Sequence, residues 1–127
     1  MQLPQVIAWV NQMRKIGEAD IPYLEVDGKY YTPNEILEEA KANSEIWKKI
    51  QEQLGDPPYQ LSWNLLERRL EEKIKKGKVP TIYAMGRALT PEEQLKEVKN
   101  KTTTGYTLLL AEAKLLEELE KRRNLYK

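Results

Sequence analysis

The sequence predicts a mainly helical α+β protein in which a unit of helix, β-hairpin, helix and helix occurs twice in tandem. Residues 21–41 and 79–99 align without a gap, at an offset of 58 positions. Both segments contain a glycine turn between two short runs typical of strands, followed by Thr-Pro-x-Glu, a helix-start sequence. Apolar residues at helical spacing fill most of the remaining chain. These observations together favour a duplicated structural unit.

The two aligned segments are identical at eight positions, where backbone geometry is most restrictive. The identical pairs are Pro22/Pro80, Gly28/Gly86, Thr32/Thr90, Pro33/Pro91, Glu35/Glu93, Leu37/Leu95, Glu39/Glu97 and Lys41/Lys99. We therefore expect one compact domain, residues 1–127, made of two repeats at 2–57 and 60–127 with pseudo-twofold symmetry. The junction is expected at 55–59, where Gly and Pro residues interrupt the helical pattern. A structural repeat of this kind does not by itself indicate an activity.

The first repeat begins with a helix predicted over Pro4 to Lys15 and ended by Gly17. Its apolar face is expected to contain Val6, Trp9, Val10, Met13 and Ile16. Asp27-Gly28 is favoured in a two-residue type I′ turn, which requires positive φ at both positions. Such a turn pairs Val26 with Lys29, Glu25 with Tyr30 and Leu24 with Tyr31.

Two capped helices complete the first repeat. Thr32 is the expected N-cap of a helix over Pro33 to Ala42, with Ile36, Leu37 and Ala40 facing inward. Ser44 is expected to cap a further helix that ends at Gly55, with Ile46, Trp47, Ile50 and Leu54 on its apolar face. Each cap contributes roughly 1 kcal/mol to helix stability.

The second repeat follows the same order with a longer final helix. Ser62 is expected to cap a helix ended by Gly77, with Trp63, Leu66, Leu70 and Ile74 on its apolar face. A second hairpin is predicted over Val79 to Leu89, with a turn of another type because Met85 replaces Asp27. Pro91 is predicted to start a helix ending near Lys101, the segment from Thr102 to Gly105 to be a break, and the final helix to cover Tyr106 to Asn124.

Composition argues against several classes of function. Charged residues make up 32% of the chain and the formal net charge is +1, so no strong overall field predicts a polyanion or membrane partner. Histidine and cysteine do not occur, which excludes catalytic triads and zinc sites built from those side chains. Each of the neighbouring carboxylates Glu35, Glu38 and Glu39 has a structural role in a cap or an ion pair. We expect no enzymatic activity, catalytic residue, cofactor or metal.

The same composition sets the expected location. No apolar run approaches the ~20 residues of a membrane span. We therefore expect a cytoplasmic protein without membrane contact. Abundant Lys and Glu together with the absence of Cys resemble a thermophilic composition.

Protein contacts are the favoured function, in the form of a small interaction or assembly module that pairs as a homodimer. The final helix has an apolar stripe wider than a surface helix usually buries, so part of it is expected to contact a partner or a second copy. The other interpretation is that this helix is the central helix of the domain. The candidate partner-contact residues are Tyr30, Tyr83, Leu109, Leu116 and Leu119.

A nucleic-acid-binding accessory protein is the alternative function. A basic run at the end of the helix after Ser62 supplies candidate phosphate contacts, namely Arg68, Arg69, Lys73, Lys75, Lys76 and Lys78. The opposing interpretation is that Glu67, Glu71 and Glu72 pair with these cations on a solvated helix face.

Overall fold

The structure, a computed structural model, describes residues 2–55, 61–84 and 86–124. In that part of the chain it contains six helices and two antiparallel two-stranded hairpins. The elements are α1 (Leu3–Lys15), β1 (Leu24–Val26), β2 (Lys29–Tyr31), α2 (Pro33–Ala42), α3 (Glu45–Gly55), α4 (Trp63–Lys75), β3 (Ile82–Ala84), β4 (Arg87–Leu89), α5 (Pro91–Lys99) and α6 (Thr103–Asn124). The prediction of a mainly helical chain with two hairpins is confirmed. Residues 56–59 of the expected junction, and Met85 with its unusual turn, lie outside the described residues.

The chain divides into two structural units that do not coincide with the predicted repeats. The first unit comprises Met1–Gln60 together with Leu116–Lys127, and the second comprises Leu61–Leu115. The last part of α6 therefore belongs to the first unit. The domain prediction, with repeats at 2–57 and 60–127, stays a prediction.

The first unit has a well-buried core built from α1 and the first hairpin. Val6, Trp9, Val10 and Met13 are buried as predicted, whereas Ile16 lies in the C-cap position of α1 and is 40% exposed. The ring of Trp9 meets that of Tyr23 edge to face, with centroids 5.2 Å apart. Leu24, Val26 and Tyr31 of the hairpin are buried in the same unit.

The first hairpin has the predicted register and turn. Leu24 pairs with Tyr31, Glu25 with Tyr30 and Val26 with Lys29. Asp27 and Gly28 have φ values of +51° and +81°, as a type I′ turn requires at its two central positions. The Asp-Gly dipeptide therefore determined both the turn and the strand pairing.

The helix caps lie where the sequence predicts them. The Thr32 hydroxyl accepts a hydrogen bond from the Glu35 amide, and the Glu35 carboxylate accepts one from the Thr32 amide. Thr90 and Glu93 form the same reciprocal pair at the start of α5. Ser44 and Ser62 accept from the amides of Trp47 and Leu65, at the starts of α3 and α4. Short polar side chains thus satisfy amides that the helices themselves leave without partners.

The hairpin of the second unit has the same register as the first hairpin, and a buried glutamine in this unit replaces a buried isoleucine of the first unit. Ile82 pairs with Leu89, Tyr83 with Ala88 and Ala84 with Arg87. Gln94 occupies the position of Ile36 at the 58-residue offset, and both are buried. The Gln94 amide donates to the carbonyls of Pro80 and Leu89, at 2.9 and 3.1 Å. These two bonds satisfy a polar group that would otherwise be costly to bury.

The predicted break before the last helix is wrong in its placement. α5 ends at Lys99 and α6 begins at Thr103, so Thr103 to Gly105 form the first turn of the helix instead of a loop. Thr102 caps this turn, because its hydroxyl accepts a hydrogen bond from the Gly105 amide at 3.0 Å. The chain reverses at Lys101, whose φ is +51°.

None of the helices in the described ranges combines the length and the apolar character needed to cross a membrane.

Candidate functional site

Arg69, Lys73 and Glu112 form a largely buried group of charged side chains in the second unit, the buried ion cluster. Arg69 Nε and Nη2 donate to Oε1 of Glu112 at 3.0 and 2.7 Å, and Lys73 Nζ donates to the same oxygen at 3.1 Å. The side chains of Arg69, Lys73 and Glu112 are 1%, 18% and 20% exposed. Arg69 and Lys73 are one helical turn apart on α4, so both reach a single carboxylate on α6.

The electrostatics of the cluster keep the carboxylate ionised. Burial alone would raise the pKa of Glu112, but the charges of Arg69 and Lys73, with the hydrogen bonds they donate, outweigh it and lower that pKa. A carboxylate held in this way is a poor general base, and an arginine does not lose its proton in proteins. The cluster therefore serves to compensate a buried guanidinium within the second unit.

The buried ion cluster changes the set of candidate phosphate contacts. Arg69 is inside the protein and Lys73 is largely covered, so neither side chain offers its charge to a phosphate at the surface. We withdraw both from the candidate nucleic-acid surface. Leu65 and Leu66 lie one turn before Arg69 on α4, but its counter-charge Glu112 lies 43 residues away, so no local pattern in the sequence identifies the pair.

The remaining four cations of the basic run are exposed. Arg68 lies 3.6 Å from Glu71, and Lys75 lies 3.4 Å from Glu72, as the interleaved-charge interpretation predicts. Lys76 and Lys78 follow the end of α4 and are exposed. We call Lys75, Lys76 and Lys78 the α4-end lysines.

The candidate partner-contact residues lie in different environments. Leu116 and Leu119 are 0% and 3% exposed within the chain itself, so we withdraw them from any contact surface. Leu109 on α6 and Tyr30 on β2 are half-buried. Tyr83 on β3 is 86% exposed, the highest value among the described large apolar side chains.

A second exposed apolar surface lies on α6. Tyr106 and Leu110 are each 53% exposed and are four residues apart, which places them side by side on one face of the helix. We call these two residues the α6 patch. Sequence periodicity did not single them out, because apolar residues occur on every side of this helix.

The described residues do not include three or more acidic side chains grouped so as to hold a metal ion. In comparisons with protein-family models, with curated proteins and with solved structures, nothing matches this chain.

Proposed function

We propose that this protein is a non-enzymatic protein–protein interaction module that forms a homodimer through the α6 patch. The observation that carries the proposal is the pair of large side chains, Tyr106 and Leu110, half exposed on one helix face. Tyrosine is enriched among the residues that dominate interface energetics, because its ring buries a large area while its hydroxyl remains able to hydrogen-bond.

The composition of α6 around the patch supports an interface there. Residues 102–111 contain no charged side chain, whereas charged residues recur from Glu112 onward. A partner that covers the first part of α6 therefore desolvates no charged side chain of residues 102–111. The cores of protein interfaces are similarly depleted of charged residues. In a twofold dimer the same patch meets its own copy, so a single small apolar surface contacts itself across the axis.

The proposal includes an origin by tandem duplication of a half-length piece. Its support is the 58-residue offset, which relates eight pairs of identical residues and the two hairpin registers. Under this proposal the uncharged start of α6 belongs to the longer final helix of the second copy, where the first copy has only the 11 residues of α3.

Sedimentation equilibrium over a wide range of protein concentrations tests the dimer. We expect Leu110→Lys to weaken the dimer by about tenfold or more, because it places a charge in the interface. Ala111→Lys is the matched control: it adds the same charge to the adjacent exposed position, about 100° around the helix. The control is expected to dimerise like the unmodified protein.

Two results would contradict the proposal. One is a strictly monomeric protein at high micromolar concentration. The other is equal weakening by Leu110→Lys and Ala111→Lys, which would indicate a general effect of charge on α6. Circular dichroism of each variant separates loss of pairing from loss of fold.

A further inference from the structure

The two structural units carry opposite net charge. The second unit, residues 61–115, has eleven Lys and Arg against seven Asp and Glu, a formal charge of +4. The first unit has ten against thirteen, a formal charge of −3, and the two values add to the +1 of the whole chain. The near-neutral net charge of the whole chain is thus the sum of a basic and an acidic unit. Charge asymmetry within a chain is a feature of nucleic-acid-binding proteins.

Within the second unit, several cations are committed to carboxylates. Arg69 and Lys73 share Glu112, and Arg87 pairs with Glu93 and Glu97. The charges of Arg69 and Lys73 are therefore largely inaccessible, and that of the exposed Arg87 is offset by two carboxylates.

The accessible positive charge of the α4 region lies at the carboxyl end of the helix. Glu71 lies within ion-pair distance of two cations, Arg68 at 3.6 Å and Lys99 at 4.0 Å. Glu72 lies 3.4 Å from Lys75 in an exposed pair, which water weakens, so Lys75 can still contact a phosphate. The α4-end lysines follow within seven residues, and all three are exposed. They also outweigh the partial negative charge, about half an elementary charge, that the end of a helix presents.

The most exposed aromatic ring of the second unit lies a short distance further along the chain. Tyr83 is 86% exposed on β3, and its cross-strand partner Ala88 is too small to cover the ring. Tyr83 follows Lys78 by five positions, so their Cα atoms are at most roughly 18 Å apart. The ring and Lys78, the nearest of the α4-end lysines along the chain, therefore lie within reach of one short extended ligand.

We propose that the second unit binds single-stranded nucleic acid, with a base stacked on Tyr83 and phosphates contacted by the α4-end lysines. Cations beside an exposed aromatic ring are the combination that sequence-tolerant single-strand binders use. In a duplex the bases are stacked on one another and offer no free face to the Tyr83 ring. An acidic protein surface would contact the lysines without requiring an exposed aromatic ring. The charge and the ring together thus favour a single strand over both alternatives.

Fluorescence anisotropy with a labelled oligodeoxythymidylate tests the proposal directly. We expect affinity to fall as salt is raised from about 50 to 200 mM, with a slope of log affinity against log salt of about −2 for three phosphate contacts on a single strand. The same sequence presented as a duplex is expected to bind more weakly.

Variants separate the stacking contribution from the charge contribution. Tyr83→Ser is expected to lower affinity about five- to a hundredfold with an unchanged salt slope, and Tyr83→Trp is expected to retain binding. Lys76→Gln combined with Lys78→Gln is expected to reduce the slope to about −0.7. Lys41→Gln combined with Lys48→Gln, a matched pair of exposed lysines in the acidic first unit, is expected to change neither quantity.

Specific outcomes overturn the proposal. Binding that is absent or insensitive to salt would end it, as would equal affinity of Tyr83→Ser and the unmodified protein. Equally strong competition by polyglutamate would indicate an acidic protein partner instead. Tyr106→Ser, which alters the α6 patch, is expected to leave oligonucleotide binding unchanged, so failure of the homodimer and failure of this proposal remain distinguishable.

Discussion

At the scale of single residues, Arg69 has the least expected environment in the protein. Arginine is rarely buried, although helical spacing places Leu65 and Leu66 one turn before Arg69 on α4. The structure nevertheless buries it at 1% exposure, because Glu112 and Lys73 complete a network around one carboxylate oxygen. A buried charge of this kind is tolerated only while its counter-charge is in place.

Replacing Glu112 is therefore predicted to be strongly destabilising. Glu112→Gln removes the carboxylate charge while leaving Arg69 and Lys73 charged, and we expect a loss of about 3 kcal/mol in the free energy of unfolding. Urea unfolding at neutral pH measures this loss. Glu117→Gln, which alters an exposed pair with Lys121, is the control and is expected to cost less than about 1 kcal/mol.

The same carboxylate predicts how stability depends on pH. Its pKa is lowered in the folded state, so its contribution is fully present above its ordinary pKa of 4.5 and is lost as the pH falls through the lower folded value. We expect unfolding free energies measured from pH 5 to pH 2 to decrease less steeply in Glu112→Gln than in the unmodified protein. Parallel pH curves would show that Glu112 is not the group responsible.

Gly28 gives a second prediction at the residue scale. Its φ is +81° and nothing lies within 4 Å of an added Cβ, so the cost of a side chain is purely conformational. Gly28→Ala is expected to destabilise by more than about 1 kcal/mol in chemical unfolding. Gly28→Asn is expected to cost less, because asparagine tolerates the left-handed region. A change within about ±0.3 kcal/mol for alanine would contradict the assigned turn.

At the scale of elements, the start of α6 is fixed by its packing on α5. The Thr102 hydroxyl donates to the Glu97 carboxylate and also accepts from the Gly105 amide, so one side chain connects the two helices. The bond from Thr102, together with the pairing to Arg87, lowers the pKa of Glu97. β-branched residues next to a glycine predict a break in the helix, but tertiary contacts outweigh this weak intrinsic preference.

Gly105→Ala tests this packing. In an ordinary helix the change would stabilise by up to about 1 kcal/mol, but here the new Cβ would lie 2.3 Å from the Glu97 carbonyl oxygen. We expect a net loss of at least about 1 kcal/mol in thermal or urea unfolding, because neither backbone can move away cheaply.

The control for this prediction is Thr107→Ala on the same helix. Thr107 is exposed, so its replacement is expected to be neutral or to stabilise by up to about 0.7 kcal/mol. If Gly105→Ala were as stabilising as Thr107→Ala, the close approach of α5 and α6 would be excluded.

At the scale of the whole molecule, the two hairpins share a register but differ in burial. Leu24, Val26 and Tyr31 of the first hairpin are buried, whereas Ile82 and Ala84 of the second are only half-buried. Local opening is easier where few apolar contacts would be lost. The second hairpin is therefore expected to be the less stable of the two.

Native-state hydrogen exchange measures this difference. The hydrogen-bonded amides of β1 and β2 are expected to exchange about tenfold or more slowly than those of β3 and β4. The comparison is internal to one sample, since both hairpins have the same length and register. Equal protection would show that the stability of each hairpin does not follow its buried apolar contacts.

The candidate surfaces were only partly predictable. The exposure of Tyr83 follows from local rules, because side chains alternate along a strand and Tyr83 lies on the face opposite to Ile82 and Ala84. Leu116 and Leu119 were indistinguishable from Leu110 in the sequence, because apolar residues surround α6 on all sides. The charge difference between the units was readable only after their boundaries were known.

The sequence by itself determined the local structure: the type I′ turn at Asp27-Gly28, the capping boxes at Thr32 and Thr90, and the order of helices and hairpins. These depend on interactions between residues a few positions apart, whose geometry the chain imposes directly. Only the tertiary structure decided which side chains of α4 and α6 are buried, and that Arg69 pairs with Glu112. Those outcomes depend on partners distant in sequence, because burial of a charge or a leucine is a property of the surrounding packing.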